Sequence, residues 1–333
     1  MSANPLAMSR RARCLALLVP VAALAVSCPV AASPAGGSGG GRGTRPTIVL
    51  VHGAWTDASG WLPVIRGLQK NGYTVLAPSN PLRGLNADSA YLTAVLKTVK
   101  GPVVLVGHSY GGAVITNAAA GNPNVKSLVY IAAFAPEAGE NTRRLIAKYP
   151  GSHLADASSL VPAALRTVPV PEEDGDGGGG GGGLELWIRP ERYNEIMLSG
   201  RVPAATAASL AAAQRPAATG VVTEAARAAA WRTIPSWYLV ATADQAIGAA
   251  NERFMALRAG SHVVEVDAPH AVHVTAPRAV TDLVLEAARA AGPRLAPAAN
   301  SRPVAMMAAA ASISVATGTA LYALTRRRET RPR

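Results

Sequence analysis

The sequence is short of cysteine, and this shortage limits its chemistry. Its two cysteines, Cys14 and Cys28, lie in one N-terminal apolar stretch, so residues 46–293 contain no thiol. That region therefore offers no disulfide, no thiolate nucleophile and no cysteine metal site. Metal catalysis has no other support, because no cluster of His, Asp and Glu residues has ligand spacing. We expect no metal and no cofactor.

Acidic residues are also few, with 20 Asp and Glu against 32 Lys and Arg, for a formal net charge of +12. Nearly all of this excess lies in residues 1–45 and 294–333. Residues 46–293 are therefore close to neutral and have no field with which to hold a phosphate backbone. The basic residues belong to targeting segments, and we expect no nucleic-acid partner.

The N-terminal segment has the order of a secretory signal. Arg10, Arg11 and Arg13 precede an uncharged apolar run that ends at Cys28, and small residues follow where a signal peptidase cleaves. We therefore expect residues 1–32 to be a signal peptide and the protein to be exported. A lipoprotein site at Cys28 and a twin-arginine route through Arg10 and Arg11 are the weaker alternatives.

The C-terminal segment resembles a membrane anchor. Residues 304–324 form a run of 21 residues without a charge, and three arginines follow it at 326–328. At 1.5 Å per residue the run reaches about 31 Å, enough to cross a hydrocarbon core of about 30 Å. We predict a transmembrane helix at 304–325 with the basic tail inside and the domain outside. An amphipathic terminal helix, and with it a secreted protein, is the alternative.

Between these ends, short β-branched runs alternate with helical stretches, which predicts a mostly parallel central sheet with helices on both faces, an α/β fold. The predicted strands are Thr47–Val51, Tyr73–Ala77, Val103–Val106, Ser127–Ala132, Trp237–Ala241 and His262–Val266. The predicted helices are 59–71, 86–99, 111–120, 250–259 and 277–291.

Residues 137–232 interrupt this alternation. They are rich in Ala and Pro, show no convincing strand, and include a run of seven glycines at Gly177–Gly183. We interpret them as an inserted helical cap with a disordered poly-Gly loop. The resulting organisation is a signal peptide at 1–32, a Gly/Ser-rich linker at 33–45, core segments at 46–136 and 233–292 around the cap, a linker at 293–303, the membrane helix at 304–325 and a basic tail at 326–333.

The clearest chemical motif is Gly107-His108-Ser109-Tyr110-Gly111, which lies between a predicted strand and a predicted helix. A serine on such a sharp turn has a strained backbone, and the residues two positions away from it must be small. The turn lifts the Ser109 hydroxyl above the sheet and points the helix N-terminus at a developing oxyanion. We predict Ser109 as a catalytic nucleophile.

A serine nucleophile needs a base and a group that orients the base. One chain order in which such triads occur is nucleophile, acid and histidine. In that order Asp244 follows the strand Trp237–Ala241, and His270 follows the last strand. Asp267 is the rival acid and His273 the rival base. Both rivals lie three residues from His270. We expect the remaining histidines, at positions 52, 108, 153 and 262, to be structural or surface residues.

An oxyanion hole needs two backbone N–H donors. The residue after the nucleophile, Tyr110, supplies one, and the loop after the first strand supplies the other. In that loop Gly53 lets the chain turn, and we predict the N–H of Ala54 as the second donor. Nearby Asp57 is expected to cap the helix that starts near Ser59.

Five motifs together resemble a known family. They are HGAW at 52–55, PLRGL at 81–85, GHSYGG at 107–112, TAD at 242–244 and PHAV at 269–272. The set is similar to the α/β-hydrolase superfamily, and more closely to bacterial relatives of plant methyl-ester esterases and hydroxynitrile lyases. The resemblance covers about residues 46–292. It implies the fold, a Ser–Asp–His triad at Ser109, Asp244 and His270, and oxyanion donors at Ala54 and Tyr110.

Two departures from the family favour a hydrolase over a lyase. Family lyases keep a lysine directly after the catalytic histidine, where this chain has Ala271, and they replace the glycine that is Gly53 here. We therefore expect hydrolysis of a small carboxylic ester through an acyl-enzyme. The alternatives are a hydroxynitrile-lyase-like activity and a non-catalytic, ligand-binding protein of the same fold. Three cap residues are expected either to wall an apolar pocket or to pack on the core: Trp187, Tyr193 and Met197.

Overall fold

The computed structural model describes residues 44–156, 158–159, 161–170 and 183–292. The predicted signal peptide, membrane helix and basic tail lie outside these residues, as do most of the first linker and of the poly-Gly run. Within the described ranges, no helix has the length and hydropathy needed to cross a membrane.

A six-stranded parallel sheet forms the centre of the protein, in the order β2-β1-β3-β4-β8-β9. Its strands are β1 (Thr47–Val51), β2 (Val75–Leu76), β3 (Val103–Ser109), β4 (Val125–Ala133), β8 (Ser236–Ala241) and β9 (His262–Val266). Each predicted strand is present. The sheet and its helices confirm the predicted α/β architecture, while the ends of several strands differ from the prediction by one to three residues.

Both faces of the inner strands β1, β3, β4 and β8 are buried, which explains their near-continuous apolar sequences, whereas the edge strands β2 and β9 are largely exposed. In β1, Ile48 and Leu50 contribute to one apolar cluster, and the alternate residues Val49 and Val51 contribute to the other. Helices α1 (Leu62–Lys70) and α10 (Pro277–Ala291) pack against the first face. Helices α2 (Leu85–Thr98), α3 (Tyr110–Ala118) and α8 (Ala249–Arg258) pack against the second. A short helix, α9 (Val272–Thr275), precedes α10.

The segment between β4 and β8 corrects one prediction, because it contains strands. It has helices α4 (Thr142–Ile146), α5 (Pro190–Leu198), α6 (Ala204–Ala212) and α7 (Gly220–Thr223). It also has an antiparallel three-stranded sheet formed by β5 (Leu165–Pro169), β6 (Leu184–Ile188) and β7 (Ala217–Ala218). The cap is therefore a mixed helix and sheet layer, and its sheet pairs segments on either side of the acidic and glycine-rich stretch.

Candidate active site

Ser109 occupies the junction between the last residue of β3 and the first turn of α3. Its backbone has φ 54° and ψ −125°, outside the regions that L-residues favour. The glycines at each side permit this turn. A Cβ on Gly107 would lie 2.6 Å from the Gly111 backbone, and one on Gly111 would lie 2.4 Å from the Val51 carbonyl oxygen. The turn therefore has the geometry of a nucleophile elbow, with the hydroxyl of Ser109 at the carboxyl edge of the sheet.

His270 and Asp244 complete a continuous chain of hydrogen bonds to this serine. The Ser109 hydroxyl donates to His270 Nε2 at 2.9 Å, and His270 Nδ1–H donates to Asp244 Oδ2 at 2.5 Å. The side chains of His270 and Asp244 are 2% and 0% exposed. The structure thus brings together Ser109 and His270, which are 161 positions apart in the sequence, and Asp244, which is 26 positions before His270.

Asp244 is held rigidly by the turn that follows β8. Its Oδ1 accepts the backbone N–H groups of Ala246 at 2.6 Å and Ile247 at 2.8 Å, with a longer contact of 3.4 Å to Gly248. Burial alone would raise the pKa of Asp244, but the neighbouring His270 and the hydrogen-bond donors hold this pKa below its ordinary value. Asp244 therefore carries the negative charge that keeps Nδ1–H of His270 in place.

The loop after β1 lies against Ser109. A Cβ on Gly53 would be 2.6 Å from Ser109 Cβ, so glycine is needed here for close approach rather than for the turn that the sequence predicts. The residue with positive φ in this loop is Trp55, at φ 56°, and its indole N–H donates to the Leu186 carbonyl of the cap at 2.9 Å. Among the described residues, the N–H of Ala54 meets no acceptor.

Tyr110 begins α3, so its N–H has no acceptor within the helix. The side chain of Tyr110 takes no part in the predicted oxyanion hole. The phenol donates to Asp88 Oδ2 at 2.7 Å, and burial raises the pKa of both groups. Two N–H groups on the predicted oxyanion residues, Ala54 and Tyr110, are thus available on the two segments that flank Ser109.

Two other buried histidines have structural hydrogen bonds, as expected. His52 Nδ1–H donates to the Gly53 carbonyl at 2.9 Å, and its Nε2 accepts the N–H of Asn80 at 2.9 Å. Burial lowers the pKa of His52 to about 4. His108 Nε2–H donates to the carbonyl of His270 at 3.0 Å, so it supports the loop that carries the candidate base.

The rival residues are placed differently. Asp267 is an exposed side chain paired with Arg201 at 2.7 Å, and no hydrogen bond links it to His270. His273 lies on α9 against the rings of Trp61 and His108, and burial lowers its pKa to about 3. Neither residue is hydrogen-bonded to Ser109.

The two remaining histidines lie on surface elements. His153 in the cap contacts Glu195 at 2.5 Å, and His262 stacks on Trp237 at the edge strand β9. Neither takes part in the hydrogen-bond chain of Ser109, which agrees with the expectation that both are plain surface histidines.

Comparison with protein families identifies the part of the chain that contains the central sheet. A family model described as "Alpha/beta hydrolase family" matches residues 48–283, and so covers the central sheet apart from Thr47, the first residue of β1. The chain belongs to the alpha/beta hydrolase family. The resemblance carried by five short motifs is therefore confirmed, and the three hydrogen-bonded residues lie inside the matched region.

Among curated proteins, this alpha/beta hydrolase is 38% identical over 114 residues to a "Carbendazim hydrolyzing esterase" of Nocardioides sp. (strain SG-4G). That match covers 30% of this chain and about half, 47%, of the relative. Two crystal structures resemble it over nearly their whole length. Polyneuridine aldehyde esterase has 17% identity and a TM-score of 0.59, covering 73% of this chain and 99% of its own. A pyrethroid hydrolase from Sphingobium faniae JZ-2 has 22% identity and a TM-score of 0.55, covering 74% and 98%. At these identities the two structures show the fold.

A cavity of about 340 Å³ lies beside the loop that carries His270, between the loop after β1 and the cap. Trp55, Tyr193, Leu210 and Ala271 line it, and it does not include Ser109 itself. Two of its lining residues, Trp55 and Ala271, directly follow the predicted site residues Ala54 and His270. Its walls are mostly apolar side chains, which suits a compact hydrophobic group.

Of the three cap residues proposed as pocket walls, only Tyr193 lines this cavity. Met197 is buried in the cap, and its carbonyl accepts the N–H of Ala271 at 2.9 Å, so it packs on the loop after His270. Trp187 on β6 lies under the guanidinium of Arg166 at 5.1 Å. Sequence reasoning missed Leu210 because α6 is an alanine-rich helix whose inward face has no strong periodic signal.

Proposed function

We propose that this protein is a serine hydrolase of small carboxylic esters, with Ser109 as nucleophile, His270 as base and Asp244 as the orienting acid. The observation that carries the proposal is the buried chain from Ser109 Oγ to His270 Nε2 and from His270 Nδ1 to Asp244 Oδ2. Each of the three groups has the partner that its role requires.

In the first half of the reaction, Ser109 Oγ attacks the ester carbonyl carbon while His270 Nε2 takes its proton. Asp244 stabilises the imidazolium that results and does not itself take the proton. The N–H groups of Ala54 and Tyr110 donate to the oxyanion of the tetrahedral intermediate. Its collapse breaks the bond to the alcohol, which leaves with the proton from His270, and an acyl-serine remains.

In the second half, His270 takes a proton from water, and the hydroxide formed attacks the acyl carbon. Collapse of this intermediate breaks the bond to Ser109 Oγ, which recovers its proton from His270. The acid is released and the enzyme returns to its starting state, so each turnover consumes one ester and one water.

The ester class is supported from two sides. The curated relative and one structural neighbour are named esterases, and another neighbour is named a pyrethroid hydrolase. The cavity beside Trp55 and Leu210 accommodates a compact apolar group on the acyl or alcohol side. Ala271, at the place where related lyases carry a lysine, brings no charge to this cavity and so favours hydrolysis.

The test uses the full-length protein, a fluorophosphonate probe and short-chain p-nitrophenyl esters. We expect the probe to label Ser109, and Ser109→Ala to lose both labelling and turnover. Ser209→Ala, on the exposed surface of α6, is the matched control and should keep both. Folding of each variant is checked by circular dichroism and thermal melting.

A folded wild-type protein that neither takes the probe nor hydrolyses any ester would overturn the proposal. In that case cyanohydrin cleavage would indicate the lyase alternative, and a ligand-induced melting shift without turnover would indicate a binding protein. Labelling at a serine other than Ser109 would also contradict the assignment.

A further inference from the structure

A second acidic residue, Glu252, is buried directly behind the candidate triad. It lies on α8, its side chain is fully buried, and no sequence pattern singled it out. Its Oε2 accepts the N–H of Ala241 at 3.0 Å, at the end of β8. The other oxygen, Oε1, meets no donor among the described residues. Asp244 is a close neighbour, because Gly248 links the two residues: its N–H lies 3.4 Å from Asp244 Oδ1, and its carbonyl accepts the N–H of Glu252 at 3.2 Å.

Two neighbouring carboxyl groups cannot both be ionised in a buried site without strong repulsion. Asp244 is the better anion, because two close backbone N–H groups and His270 donate to it, whereas Glu252 receives one N–H. Burial and the charge of Asp244 raise the pKa of Glu252 well above its ordinary value.

The other groups near Glu252 do not neutralise it. Arg253 on the same helix makes a two-point contact with Glu265 at the surface, at 2.7 Å for each hydrogen bond. Tyr238 on β8 donates its hydroxyl to the carbonyl of Ala133. His270 contacts Asp244 instead. A proton on Glu252 is the remaining way to satisfy both Oε1 and the neighbouring carboxylate.

We propose that Glu252 is a neutral positioning residue whose Oε1–H donates a hydrogen bond to the Asp244 carboxylate and so fixes that carboxylate against His270. The catalytic part of this inference rests on the proposed function, whereas the protonation of Glu252 does not. A charged Glu252 would place a second negative charge behind Asp244 and hold a proton more firmly on His270. A protonated imidazole cannot accept the proton of Ser109.

The first test compares the thermal stability of wild type and Glu252→Gln between pH 5 and pH 8. Glutamine keeps an oxygen for the N–H of Ala241 and a donor for Asp244, but has no proton to lose. Folding of the wild type takes up a proton on Glu252, because the unfolded carboxyl is ionised above about pH 4.3. Wild-type stability therefore falls as pH rises, relative to the variant. The melting temperature of Glu252→Gln minus that of wild type should rise by about 3–5 °C per pH unit.

Glu191→Gln is the matched control, since Glu191 is exposed on α5 and the same change there should give a difference that does not vary with pH. A flat or falling difference for Glu252→Gln would show that Glu252 is ionised and would overturn the inference. Should Glu252→Gln not fold, carboxyl ¹³C NMR of wild type gives the same answer. One glutamate signal must show a protonated carboxyl group at pH 7. A spectrum without such a signal would equally overturn the inference.

The second test measures kcat/KM against pH on a p-nitrophenyl ester. Glu252→Leu removes both the donor to Asp244 and the acceptor for Ala241, and we expect at least about a tenfold loss of kcat. Glu252→Gln should recover most of this loss, with the acid limb of its profile at the wild-type position. An acid limb that moves to lower pH in Glu252→Gln would mean that a negative charge had been removed, and would contradict a neutral Glu252.

The two tests separate this inference from the proposed function. If wild type has no esterase activity but the melting difference rises with pH, the proposed function fails and the protonation of Glu252 stands. If wild type is an active esterase and the difference is flat, the proposed function stands and the inference about Glu252 fails.

Discussion

Replacement of Asp244 by asparagine tests the orientation of the candidate base most directly. Asp244 Oδ1 lies against the N–H groups of Ala246 and Ile247 at 2.6 and 2.8 Å, which fixes which end of an amide can occupy that position. The amide oxygen must take the place of Oδ1, because an NH₂ group there would face these donors. The NH₂ group is then forced toward His270 Nδ1.

With an NH₂ group donating to it, His270 Nδ1 becomes an acceptor and its proton moves to Nε2. The Nε2–H then faces Ser109 and cannot take the serine proton at the start of the reaction. In serine proteases, the same replacement of the triad aspartate by asparagine leaves the wrong tautomer and lowers kcat about 10⁴-fold. We expect a loss of about 10³–10⁴ in kcat/KM for Asp244→Asn, measured on a p-nitrophenyl ester near pH 7.

The fold of Asp244→Asn should survive, because the acceptor for the two short N–H contacts is retained. Asp267→Asn is the matched control, since this rival acid is 77% exposed and pairs with Arg201 at the surface. Its activity should stay within about twofold of wild type, because exposed ion pairs contribute little. The reasoning is refuted if Asp244→Asn keeps more than a tenth of wild-type activity, or if Asp267→Asn shows the large loss.

Three further predictions concern the surroundings of the site. Gly111→Ala places a methyl group 2.4 Å from the Val51 carbonyl, so its melting temperature should fall by at least about 4 °C, whereas Gly292→Ala, with its nearest contact at 3.4 Å, should change little in a thermal melt. Leu210→Trp fills the cavity beside the candidate triad, so KM should rise about tenfold or more for a bulky ester and little for an acetate. Equal effects on the two esters would show that this cavity does not bind the substrate. His273 is buried with a pKa lowered to about 3, so it stays neutral when folded while the unfolded chain takes up a proton below about pH 6.5; stability falls as pH falls, and His273→Leu should reduce that slope by about 3–5 °C per pH unit between pH 6 and pH 4.

The inner strands of the central sheet were readable from the sequence because both of their faces are buried. Such strands are short apolar runs, and Thr47–Val51 begins and ends where its run does. The edge strand His262–Val266 is exposed, so its β-branched valines, rather than burial, identify it. The nucleophile turn was readable for a different reason. Its tight backbone contacts admit only glycine at positions 107 and 111, so the two glycines on either side of Ser109 indicate the turn in the sequence itself.

The strands of the cap gave a weaker signal. In β5, Leu165 is buried and the next four residues are exposed, so the strand lacks the alternation of apolar and polar residues that identifies a half-buried strand. It also ends at Pro169, which favours an edge position. β6 does alternate in part, but its partner β5 lies across the glycine-rich stretch, and a pairing between distant segments leaves no local pattern.

Glu252 was missed because its burial depends on tertiary contacts. The inward face of α8 carries Asn251 and Glu252 beside Met255 and Ala256, so the helix has little amphipathic contrast along its sequence. A glutamate in a helix is ordinarily a solvent-facing residue, and only the approach of Asp244 to the same point marks this one as different.

The choice among the buried histidines likewise depends on partners that the sequence does not reveal. His270 has both ring nitrogens engaged, one by a carboxylate and one by a hydroxyl that can give up its proton. His52 has both nitrogens bound to backbone groups, and His273 has neither nitrogen bound to any described group. Burial without a carboxylate lowers the pKa of both His52 and His273, so these rings stay neutral near pH 7. An imidazole that exchanges a proton during turnover needs a nearby anion to stabilise its charged form, and of these three rings only His270 is hydrogen-bonded to a carboxylate. The position of Asp244, and the proton that we assign to Glu252 behind it, therefore decide which histidine serves as the base.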